Sequence, residues 1–553
     1  MIRSLYIFFL VLILFNPKIR AQGAYIPPDK PKLVISIVIE QFRYDYIDKY
    51  WDNFSEGGFK RLINEGTFCK NASYNYFFTQ SAPAYATLAT GTDPRVHGII
   101  ADNWYHPLRD EIIYCTSDSD VDPVGGSFEN GLHSPVHLLP STFSDELKLS
   151  NGGRSKVFSV GLKEFASILS GGHSADAAYW YDDRTGTWMT STHYLDSLPP
   201  WVNRFNGMML SETYLNGEWN ILLPPDSYRR SLSDTNIYEA GIQGQTWFPY
   251  DLKKMSFSSV MGILNKKRDY SLLKEFPAGN TFTSDFAIRL IEEEALGEDD
   301  ITDFLSVSYS VTDNIGHNFG PSSLEMADAI IRFDSDLAHF LDYITDKIGK
   351  KNVLIYLTSA HGVAESPDLL RDKKIPAGHF KYNQALTLLK SYLNVMLGHG
   401  NWVKGYYEKQ IYLNRTLIED AELSLSEVQN MAARFITQFN GVSFAVAANV
   451  IENNDFSSGH YGMIRNSYDP VRSGDVIINL KPAWVENGKY VTNHNSPYEY
   501  DSHVPLIWYG WTVNRASVTR KINMNEIAAT LSSLCRVQVP NACAGEPMIE
   551  LFR

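Results

Sequence analysis

Lys32-Leu33-Val34-Ile35-Ser36-Ile37-Val38-Ile39-Glu40 reads as a strand buried on both faces, because its apolar, β-branched run is unbroken and ends on a carboxylate. Working outward, the same pattern recurs. Val157 to Leu162 runs into Lys163. Asp303 to Ser310 runs into Thr312-Asp313. Asn352 to Thr358 ends near His361-Gly362, and Val504 to Tyr509 forms a further apolar run. Helical stretches lie between them, over Phe54–Glu65, Ser323–Ile348 and Asn523–Leu534. Strands alternating with helices over this length predict an α/β fold with a mostly parallel sheet. In such sheets reactive groups collect at the C-terminal strand ends, where Glu40, Lys163, Asp313 and His361 fall.

A second stretch, Thr79-Gln80-Ser81-Ala82-Pro83-Ala84-Tyr85 through Thr90-Gly91, predicts a helix with Pro83 near its start and Gly91 at its C-cap. Ser81 then stands at or just before a helix N-terminus, where free N–H groups and the dipole favour an anion. Its hydroxyl has two readings there: a routine N-cap, or a nucleophile toward phosphorus. Asp313-Asn314-Ile315-Gly316-His317 sets a carboxylate and an imidazole four residues apart. That spacing is close enough for one metal ion, though the pattern alone favours a loop carboxylate and a surface imidazole.

The chain has 553 residues, 44% of them hydrophobic and 13% aromatic, which suits a large globular core. A net charge of −14 argues against a nucleic-acid surface. Arg3, the apolar run Leu5–Phe15 and Ala21-Gln22 predict a secretory signal peptide over residues 1–21, and hence a periplasmic or extracellular protein. No later segment is long and apolar enough to predict a membrane span. Four cysteines in an exported chain permit two disulfides, with Cys535–Cys543 the local pair and Cys69–Cys115 the remainder. The Trp-, Tyr- and Pro-rich residues near 195–260 predict an inserted cap of short elements.

Taken in order, these motifs resemble the alkaline phosphatase superfamily, in its type I phosphodiesterase/nucleotide pyrophosphatase branch. The carriers are Ile37–Tyr46, Ser81-Ala82-Pro83 to Thr90-Gly91, His97-Gly98, Ser159–Lys163, His173–Tyr181, Thr312–Pro321, Leu357–Gly362 and His494–Pro505. The resemblance implies a three-layer sandwich over residues 22–553, with a cap at roughly 180–280 and a second insertion at roughly 365–470. It implies a small-molecule phosphate ester as substrate, Ser81 as nucleophile and Lys163 as a phosphate clamp. A zinc ion would be held by Asp313, His317 and His494. The second zinc site would use Glu40 and His361, but Ala360 stands where a carboxylate is expected. Tyr85 replaces a histidine, and Phe165 replaces the clamp's arginine. An asparagine expected near Ser81 falls at Asp102, or at Asn103 after a one-residue slip. Two outcomes stay open: a hydrolase of altered specificity, or a pseudoenzyme that keeps the fold and one zinc.

Overall fold

The apolar run at Lys32 forms β1 (Leu33–Ile39), and all seven of its residues are buried. The protein, described here from a computed structural model, is defined over residues 28–257 and 268–552. The leader expected over residues 1–21 lies outside them. Six further strands surround β1: β2 (Thr67–Ser73), β3 (Val157–Gly161), β4 (Ala177–Asp182), β5 (Asp303–Tyr309), β6 (Val353–Ser359) and β7 (His503–Gly510). Their spatial order is β2-β7-β6-β1-β5-β3-β4. Strands β6, β1, β5, β3 and β4 pair in parallel, while β7 is antiparallel to both β6 and β2. The sheet is therefore mixed but mostly parallel.

The pleat of β1 divides its side chains between two cores. Leu33, Ile35, Ile37 and Ile39 pack into one cluster, with Met326, Ile330 and Leu337 of a long helix. Val34 and Val38 pack into the other, with Ala82, Leu88, Phe165 and Ile527. Burial on both faces is why the run carries no polar alternation. The covering helices are α1 (Ser81–Thr90), α2 (Glu164–Gly171), α3 (Val311–Phe319), α4 (Leu324–Lys347) and α5 (Glu526–Cys535). Helix, sheet and helix make the three layers.

Short elements fill the stretch before α3, including helices Pro200–Gly207 and Leu210–Tyr214 and the two-residue strands Glu218–Trp219 and Tyr250–Asp251. Further along, Val403–Tyr407, Gln410–Leu413, Val442–Ala447 and Val476–Leu480 form a separate four-stranded antiparallel sheet with its own core. No helix among the described residues is long and apolar enough to cross a membrane.

The expected disulfides do not form: all four cysteines are free. Cys69, Cys115 and Cys535 are packed into the α1-side core as small apolar residues. Cys543 lies against Gly91, at the end of α1, rather than against Cys535. Burial pushes the Cys535 thiol up to about 12, which keeps it protonated and unreactive. An even cysteine count fixed neither pairing nor proximity.

Candidate active site

Four neighbouring parallel strands deliver their next residues to one point. Glu40 follows β1, Lys163 comes two residues after β3, Asp313 sits in the first turn of α3 after β5, and His361 comes two residues after β6. Helix α1 brings Ser81 to the same place. Its N-cap is Gln80, which makes no side-chain cap, so the hydroxyl of Ser81 is not spent on capping. Ser81 Oγ instead donates toward Glu40 Oε2 at 3.0 Å and lies 3.0 Å from His361 Nε2. The His361 Nδ1–H goes to the Gly362 carbonyl at 2.8 Å, which leaves Nε2 bare toward the hydroxyl. Burial lowers the His361 pKa to about 4, so the ring is neutral.

Asp313, His317 and His494 converge beside this group, with one ligand atom from each within 4.8 Å of the others. The backbone fixes both rings. His317 Nδ1 donates to the Thr492 carbonyl at 3.1 Å and His494 Nδ1 to the Thr79 carbonyl at 2.8 Å, so both Nε2 atoms point toward Asp313 Oδ1. Gln41 Nε2 orients that carboxylate from behind, with bonds of 2.8 Å to Oδ1 and 3.2 Å to the Asp313 carbonyl. Two imidazoles and a carboxylate, each held by an outer partner, fit a divalent metal with a free position for substrate or water.

A second metal ion fits poorly. Its donors would be Glu40, His361 and Ser81, and Ala360 offers none. Lys163 Nζ already donates to Glu40 Oε2 at 2.6 Å and to Asp313 Oδ2 at 2.7 Å. Burial raises the proton affinity of Glu40, with Asp313 adding to it, while Lys163 opposes both. Phe165 is buried between Tyr85 and Tyr114, its ring 5.7 Å from Lys163 Nζ, and adds no charge. Tyr85 places its hydroxyl 3.3 Å from Glu40 Oε1.

Of the two asparagine candidates, the structure brings Asp102 to α1. Asp102 Oδ1 accepts from the Ala82 N–H at 3.1 Å, and its own N–H donates to Gln80 Oε1 at 2.8 Å. Burial raises its carboxyl to about 6, against the pull of the Ala82 N–H. Asn103 lines a neighbouring cavity of about 430 Å³ with Tyr490 and Thr492. The orienting role of Gln41 escaped the sequence reading. Its one sequence signal is adjacency to Glu40, which marks a strand end but not a bond to a residue 272 positions away.

The pattern described as type I phosphodiesterase / nucleotide pyrophosphatase matches residues 34–503. Alkaline phosphatase PafA of Elizabethkingia meningoseptica is 35% identical over 95% of both chains, and alkaline phosphatase PhoV of Synechococcus elongatus is 36% identical over 95% of this chain and 93% of that one. A Myroides odoratus protein named a calcium-transporting ATPase is 38% identical over 94% of this chain and 95% of its own. The crystal structure of PafA superposes with a TM-score of 0.88, covering 95% of this chain and 99% of that one. The chain therefore belongs to the type I phosphodiesterase/nucleotide pyrophosphatase family, within the alkaline phosphatase superfamily. Its class is that of an alkaline phosphatase/phosphodiesterase-type hydrolase.

Proposed function

We propose that the chain is a zinc-dependent phosphoric-ester hydrolase with Ser81 as its nucleophile. The observation that carries this reading is the Ser81 hydroxyl itself. It is free of capping duty, sits at the N-terminus of α1, has two proton acceptors at 3.0 Å and adjoins the Asp313–His317–His494 triad. Two imidazoles with one carboxylate are a donor set that suits zinc. Such an ion, when bound, supplies Lewis-acid charge beside the reacting phosphorus.

The chain's own residues account for the rest. Ser81 Oγ forms a bond to phosphorus as the bond from phosphorus to the alcohol oxygen breaks. The hydroxyl proton leaves with Glu40 Oε2, whose burial raises its proton affinity toward that of a useful base. Water then cleaves the Oγ–phosphorus bond and returns the enzyme. In the first turn of α1 the Ala82 N–H is taken by Asp102 Oδ1 and Pro83 has none, so the fixed positive charge beside the anionic group comes from Lys163.

Replacing Ser81 by Ala tests the reading directly. Turnover of nitrophenyl esters is expected to fall by about 10³-fold or more, with zinc content unchanged. Equal turnover in the variant would remove Ser81 from the mechanism. Turnover also separates this reading from a pseudoenzyme, which would show none that depends on Ser81.

A further inference from the structure

Around Ser81 the fixed charges can be followed one by one. Lys163 Nζ bridges Glu40 Oε2, at 2.6 Å, and Asp313 Oδ2, at 2.7 Å, joining the carboxylate beside the nucleophile to the carboxylate of the metal triad. Glu40 Oε2 is also the oxygen that accepts from Ser81. A second metal ion would have to bond this same oxygen together with Ser81 Oγ and His361 Nε2. It would therefore take Glu40 from the ammonium and leave Lys163, only 18% exposed, with Asp313 Oδ2 as its remaining carboxylate partner. Setting a dication beside a buried ammonium that has lost one of its two carboxylates is strongly unfavourable. Ala360, fully buried, supplies no donor that would compensate.

We propose that Lys163 stands in the place of a second metal ion, and that the resulting centre selects a singly charged ester group, a phosphodiester or a sulfate ester, over a doubly charged phosphate monoester. The proposal rests on the hydrolase reading above for its substrate half. One dication at the triad and one ammonium face the two carboxylates of Glu40 and Asp313, which leaves a single positive charge. Asp102, a carboxyl against the Ala82 N–H, lowers that charge further when ionised, and Phe165 adds none. A monoanion keeps that centre closer to neutral than a dianion does. A dianion leaves excess negative charge in a buried space, where it is costly.

Two measurements test the two halves. The first is zinc per chain by mass spectrometry, after equilibration with excess zinc and removal of free metal. Wild type is expected to hold one ion, Ala360→Asp still one, and Lys163→Ala with Ala360→Asp two. Two ions in wild type, or two in Ala360→Asp with Lys163 intact, would overturn the place given to Lys163. The second compares kcat/KM for 4-nitrophenyl phosphate, methyl 4-nitrophenyl phosphate and 4-nitrophenyl sulfate, which share a leaving group. At least one monoanion is expected to exceed the monoester by tenfold or more, and which one does distinguishes the two sources. A monoester faster than both sinks the specificity claim. Should no ester show Ser81-dependent turnover, the hydrolase reading and the specificity claim fall together, while the zinc count still decides the role of Lys163.

Discussion

Gln41 occupies a left-handed backbone conformation, φ +57°, directly after Glu40, and this turns its amide onto Asp313. The close approach has a counterpart on α3. A Cβ built at Gly316 would lie 1.4 Å from Gln41 Oε1, so no other residue fits there while the amide stays in place. Partners that orient a metal-binding carboxylate typically govern about 10- to 100-fold in metal affinity. Gln41→Ala is therefore expected to weaken zinc binding by about that factor, measured by competition with a chelating dye. Gly316→Ala should act in the same direction by pushing the amide aside. Unchanged affinity in Gln41→Ala would mean that Asp313 needs no support from behind. This contact was not legible in the sequence, because glutamine at a strand end has no pattern that separates an orienting role from a solvated one. The positions of Ser81, Asp313 and His361 at element boundaries were legible for the opposite reason: apolar patterning and glycine mark those boundaries plainly.

At the scale of elements, α1 carries the nucleophile and ends where Gly91, at φ +69°, donates its N–H to the Thr87 carbonyl at 2.9 Å. A Cβ there would meet Cys543 Sγ at 2.5 Å. Gly91→Ala is expected to cost about 1–2 kcal/mol from the backbone alone, read by urea unfolding. A second element is anchored by charge. Asp145, in the first turn of helix Phe143–Ser150, completes a capping box with Thr142 and also accepts from Ser174 and His173. Burial would raise its carboxyl, but those bonds override it and hold the pKa at about 2. A carboxyl depressed in the folded state contributes stability above its unfolded value near 3.8, and that stability is lost as pH falls toward 2. Asp145→Asn should therefore cost about 2 kcal/mol at neutral pH and flatten the loss of stability between pH 4 and 2. An unaltered acid limb in that variant would assign the acid sensitivity elsewhere. The strands were the most legible elements, since burial on both faces leaves an uninterrupted apolar signature. The helix expected from Phe54 begins only at Phe59, where Asp334 of α4 takes the Ser55 and Phe59 N–H groups. That start is set by a residue 275 positions away, which local pattern does not carry.

Across the whole molecule, α3 and the irregular segment carrying His494 are joined by the Val491 N–H to the His317 carbonyl at 3.0 Å, by His317 Nδ1 to the Thr492 carbonyl at 3.1 Å, and by the Asp313–His317–His494 cluster, which could hold a metal ion. The free chain must hold Asp313 and the bare nitrogens of His317 and His494 together without an ion to share. A ligand bound only by the folded state stabilises it by RT ln(1 + [L]/Kd), about 2.7 kcal/mol at a hundredfold excess over Kd. Chelation is therefore expected to lower Tm by several degrees, and added zinc to restore it in a concentration-dependent way. Reductant should leave Tm unmoved, because none of the four thiols is paired. The combination matters, since an even cysteine count behind the expected secretory leader would ordinarily predict the reverse sensitivity. A Tm that falls with reductant and ignores chelator would place the cross-link in disulfides and remove the metal from the folded state. His494→Ala sharpens the comparison: its Tm should match that of the chelated wild type and should no longer respond to zinc.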